Sequence, residues 1–107
     1  MKNPLGNMGN ILKQAQAMQV QMAKVQEETS SRTVTGTAGG GSVTVTANGA
    51  MEILGIVIDP EVVKSGDVEM VQDLVMAASN DALKRAREMM ADAMKSVTGG
   101  MNMPGLL

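Results

Sequence analysis

A chain of 107 residues with a formal net charge of −2 holds material for one domain, because so short a chain buries too little surface for two independent cores. It has no Cys and no His, which excludes disulfides, thiolate metal sites and the side chain most used for acid–base catalysis and metal ligation near neutral pH. Phe, Tyr and Trp are absent as well while Met occurs 12 times, so Val, Ile, Leu and Met must fill the interior, and a monomer should be weakly packed.

The chain opens with no charged segment followed by a sustained apolar run, and no stretch approaches the roughly 18 apolar residues of a membrane span. The expectation is a cytoplasmic protein without a membrane partner.

Along the first segment Ile11, Ala15, Met18, Met22 and Val25 step by four and three, with Gln and Lys between them, which predicts a helix of several turns. Asn3, Asn7 and Asn10 are all candidate caps, and the helix should end near Glu28 to Ser31, where small polar residues accumulate. Arg32 to Ala38 and Ser42 to Ala47 alternate β-branched residues and read as strands joined by Gly39, Gly40 and Gly41. Asn48-Gly49 predicts a two-residue hairpin turn into a third strand, Met51 to Ile58, giving a three-stranded antiparallel meander. That third strand is nearly all apolar after Glu52, so both of its faces should be covered.

Asp59-Pro60 reads as a cap followed by proline in the first turn of a short helix that stops at Ser65-Gly66. Asp67 then caps a long helix to about Val97 with an apolar stripe through Val71, Val75, Ala78, Ala82, Ala86, Met89, Ala93 and Val97. Residues 74–78 are apolar all round, so the first half of this helix should be buried on several sides. The fold class expected is α+β: N-terminal helix, three-stranded antiparallel sheet, short helix and long C-terminal helix. Residues 99–107, rich in Gly with Asn102 and Pro104, should form a flexible tail. Open sheet edges, an apolar third strand and an unmatched heptad seam argue that a second copy closes the core, making a homodimer.

Charge is distributed unevenly. Lys2, Lys13 and Lys24 stand without an acid in residues 1–26, residues 52–73 are acidic, and Lys84, Arg85, Arg87 and Lys95 restore a positive balance on the last helix. The first helix enters the sheet and the last leaves it, so their basic ends should meet at a far tip.

Catalytic and metal readings find little support. Residues 36–42 lack the lysine of a P-loop and lead into a strand instead of a helix. Asp59 and Glu61 sit beside a proline turn, where a cap and a solvated charge account for them. Met89, Met90 and Met94, or Met101 with Met103, could offer thioethers to copper(I), but gap-filling on apolar stripes explains them. No enzyme activity and no cofactor are expected. The lack of aromatic rings disfavours single-stranded nucleic acid, whose bases stack on such side chains, and the three lysines of the acid-free residues 1–26 point to duplex phosphates instead.

Four blocks carry a resemblance: residues 11–19 (Ile-Leu-Lys-Gln-Ala-Gln-Ala-Met-Gln), Val34-Thr35-Gly36 through the glycines to Val43-Thr44-Val45 and Asn48-Gly49, Ile58-Asp59-Pro60, and residues 73–82 (Asp-Leu-Val-Met-Ala-Ala-Ser-Asn-Asp-Ala). In this order and spacing they resemble the YbaB/EbfC nucleoid-associated proteins, and residues 1–98 are read as one such domain. The resemblance implies a bacterial, intertwined homodimer with tweezer-like helical arms that binds duplex DNA in the nucleoid. It places DNA contacts on the terminal helices, here Lys13 and Lys24 on the first and Lys84, Arg85, Arg87 and Lys95 on the last. The rival reading is a protein-binding adaptor or chaperone-like module that uses the same arms.

Overall fold

The strands that β-branched alternation predicts are present in a computed structural model that describes residues 4–100. In chain order the elements are α1 (Pro4–Ser30), β1 (Thr33–Ala38), a single 3₁₀ turn (Gly39–Gly41), β2 (Val43–Asn48), β3 (Ile53–Ile58), α2 (Pro60–Lys64) and α3 (Val68–Gly100). The expected cap at Asn3 and the tail beyond Gly100 lie outside the described residues; α3 itself runs three residues past the expected Val97. The sheet is antiparallel in the order β1-β2-β3, the meander the sequence predicts.

Val43, Val45 and Ala47 point to one face of β2 and meet Ala78, Ala82 and Ala86 of α3; these six form the buried core. The helix lies very close to the sheet because the facing residues are small. Any Cβ on Gly36 of β1 would overlap the backbone of Ala78 and Ala82. Both short-range caps form as expected: Asp59 Oδ1 accepts the Glu61 N–H and Asp67 Oδ1 accepts the Met70 N–H, each at 3.0 Å.

Three expectations need correction. First, Asn48-Gly49 is not the centre of a two-residue turn. Asn48 opens a wider connection, its carbonyl accepting the Met51 N–H at 3.1 Å while Oδ1 accepts the N–H groups of Ala50 and Glu52, each at 3.0 Å. The left-handed residue is Met51, at φ 64°. Gly49 is required for space instead: it is buried against Thr29 at the end of α1, and its N–H donates to the Arg32 carbonyl at 3.1 Å.

Second, one chain alone leaves β3 largely uncovered on both faces, with only Ile58 at its end packed against the core. The helix α3 lies over β1 and β2 and scarcely reaches β3. Pairing places Ile56 beside Val45 on the helix side of the sheet, whereas Val57 pairs with Thr44 and faces the opposite way. Ile56 remains 46% and Val57 70% exposed. Third, the early part of α3 is not enclosed on several sides, since Met76 is 59% exposed and Val68 66%. Two neighbours would be needed to surround it, and one chain supplies only the sheet.

Beyond the sheet α1 packs on α3, and Val97 of α3 is buried there. At 1.5 Å per residue the two helices are about 40 and 50 Å long, yet the protein extends 80 Å along its long axis. They are therefore staggered, so α1 carries exposed Ile11 and Leu12 beyond the packed part of the seam.

Candidate nucleic-acid interface

Lysine and arginine project from both long helices, and helical spacing sorts them. Ala78, Ala82 and Ala86 define the sheet-facing side of α3. At 100° per residue Lys84, Arg87 and Lys95 fall on the opposite, solvent-facing side, with Lys84 and Lys95 eleven residues or three turns apart. All three are exposed. On α1, Lys13 and Lys24 are likewise exposed and eleven residues apart, a separation of about 16 Å along the axis.

Arg85 stands apart from this stripe. It lies on the flank of α3, where its Nε donates to Asp81 Oδ2 at 3.2 Å. The same Oδ2 accepts the backbone N–H of Thr37 at 3.0 Å, so Asp81 joins α3 to β1. The Thr37 amide is the main cause holding the Asp81 carboxyl below its ordinary 3.8, and the Arg85 guanidinium adds to it. Arg85 is thus committed in part to a carboxylate, unlike the other five expected cations, for which no ion pair occurs among the described residues.

The charges do not gather at one tip. Val25 of α1 and Met89 and Ala93 of α3 line one cleft, which sets Lys24 near the level of Lys95. Lys13 lies three turns farther out along α1, and Lys84 lies back over the sheet next to Leu83 and the buried Ala82. The cations are spread along the length of the arm because the helices are staggered.

The cleft at the base of the arm has a volume of about 860 Å³. Its rim includes Arg32, which sequence patterning marks only as the opening of a strand. Arg32 sits between α1 and β1 with its backbone fixed at both ends, its N–H donating to the Thr29 carbonyl at 3.0 Å and its carbonyl accepting from Gly49. The signal that could have found it is a cation directly after a helix end, where a side chain must project from a rigid corner.

A helical arm bearing separated, solvated cations and lacking a buried polar constellation is suited to contacts with a polyanion. Residues 4–101 match the YbaB/EbfC DNA-binding family. The chain belongs to that family, a nucleoid-associated DNA-binding family and not an enzyme class. It is 57% identical to a nucleoid-associated protein of Clostridium novyi over 100 residues, covering 94% of this chain and 88% of that protein. A nucleoid-associated protein of Bacillus thuringiensis is 53% identical over 105 residues, covering 98% of this chain and 96% of its own length. The crystal structure of an uncharacterized protein from Helicobacter pylori superposes with a TM-score of 0.69 at 26% identity, spanning 92% of this chain and all of that one. Among the described residues no helix is long and apolar enough to cross a membrane.

Proposed function

We propose that this protein acts in the nucleoid as a homodimer whose helical arms hold duplex DNA through phosphate contacts, with weak sequence preference. The observation that carries the DNA reading is the solvent-facing row of Lys84, Arg87 and Lys95 on α3, joined by Lys13 and Lys24 on α1. Each is free to displace a condensed counterion from the duplex. None lies in a rigid polar setting of the kind that reads base edges.

The homodimer reading rests on β3. Its free edge and both faces present Ile53, Leu54, Ile56 and Val57 to solvent. An apolar edge strand of that kind is an association surface unless a second chain covers it. A two-fold partner would bury the same patch on both copies and fix two arms to one platform.

A salt titration of binding to duplex DNA tests the reading. Replacing Lys13 and Lys24 by Ala in each protomer should flatten the dependence of log affinity on log salt by about 0.9 for every phosphate that is no longer neutralised. A slope unchanged by both substitutions would remove α1 from the interface.

A further inference from the structure

We infer that the free edge of β1, in the cleft at the base of the arm, is a docking site for a short extended cationic segment of another protein, which adds to the sheet as a fourth strand. The direction of the edge groups follows from two hydrogen bonds. The Arg32 carbonyl points inward to Gly49 of the β2–β3 connection, whereas the Thr37 N–H points outward to Asp81. Backbone groups alternate with period two along a strand, so the N–H and C=O of Thr33 and Thr35 also point outward, away from β2. Both residues line the cleft.

The outward groups therefore differ in their fate. Asp81 occupies the Thr37 amide and ends the usable edge there, leaving the stretch from Thr33 to Gly36 open to a strand of about four residues. Such an edge is a template for strand addition, in which main-chain bonds supply affinity and the flanking side chains supply selection. Here the flank is acidic. Glu28, Glu88 and Asp92 line the cleft against Arg32 and Arg85, and Arg85 already gives its Nε to Asp81. Excess carboxylate at the rim favours lysine or arginine on the incoming strand and disfavours a nucleic-acid backbone. The site is thus distinct in chemistry from the cationic outer face of α3 and from the apolar edge at β3.

The test uses the full chain and a blocked peptide, acetyl-Lys-Val-Lys-Val-Lys-Val-amide, observed through backbone amide resonances and hydrogen exchange. Binding should shift Thr33, Val34 and Thr35 and slow exchange of the Thr33 and Thr35 amides by at least roughly tenfold. Replacing Glu88 and Asp92 together by Lys, both on the exposed rim, should weaken the peptide by roughly tenfold. Methylating alternate backbone nitrogens of the same peptide leaves its side chains intact and should abolish binding. Equal binding by the methylated peptide or by its Glu-Val counterpart would overturn the inference. So would shifts confined to β3, or duplex DNA in place of the peptide as the ligand that perturbs Thr33 and Thr35.

Discussion

Thr37 donates its backbone N–H to Asp81 Oδ2 at 3.0 Å, so one carboxylate on α3 holds the outer edge of the sheet. That oxygen also accepts from Arg85 Nε one turn farther along the helix. Both bonds favour the charged carboxylate, and its pKa is lowered from 3.8.

The sign of the resulting pH dependence follows from linkage. A carboxyl with a depressed folded pKa contributes stability above its unfolded value and loses that contribution as pH falls through the folded value. Wild-type protein should therefore exceed Asp81→Asn in melting temperature by a constant margin from neutral pH down to about pH 5, and the margin should shrink below about pH 4. Thermal melts of both proteins across this range provide the check. A margin that widened on acidification would show that Asp81 is not held in its charged form.

Gly36 lies against the backbone of Ala78 and Ala82, with no room for a Cβ. Gly36→Ala must force α3 away from β1, and overpacking of this kind costs about 1 to 3 kcal/mol. Urea unfolding at fixed protein concentration should show a lower midpoint with an unchanged slope. A midpoint equal to wild type would mean that the helix–sheet spacing has slack.

The connection after Asn48 makes an unusual pair of expectations. Met51 holds a left-handed φ of 64° at a position where glycine carries no steric penalty. Met51→Gly should thus be neutral or stabilising by up to about 1 kcal/mol. Gly49→Ala should be destabilising, because its methyl group would press on Thr29. Reversal of these two effects in denaturant titrations would restore the simple Asn-Gly turn.

Among the cations, position on α3 sets the expected effect on DNA. Removing Arg87 should flatten the salt slope by about 0.9, whereas removing Arg85 should change it less because its guanidinium is shared with Asp81. Parallel salt titrations of Arg87→Ala and Arg85→Ala decide the order.

Val57 is 70% exposed in the single chain, so its replacement disturbs no packing within that chain. If the proposed homodimer forms through β3, Val57→Lys should leave the secondary structure intact and convert dimer to monomer. Light scattering at micromolar concentration measures this, and an undiminished dimer would place the interface elsewhere than β3.

The order and type of the elements were legible in the sequence because each rests on neighbours a few residues apart. The seam of Ile11 to Val25, the alternation of Val43 and Val45, and the caps at Asp59 and Asp67 are local patterns set by helix and strand periodicity. The positions of the lysines and arginines along each helix are likewise read directly from the chain. Helical spacing allows Asp81 to pair with Lys84 or Arg85; the tertiary structure gives it to Arg85 and brings the Thr37 amide, 44 residues away, to the same oxygen. It also turned Gly49 from a turn residue into a close neighbour of α1, and left β3 bare because α3 covers only two strands. Periodicity states which side of an element is apolar; what lies against that side depends on residues distant along the chain, and these meet only after the helices and the sheet have packed.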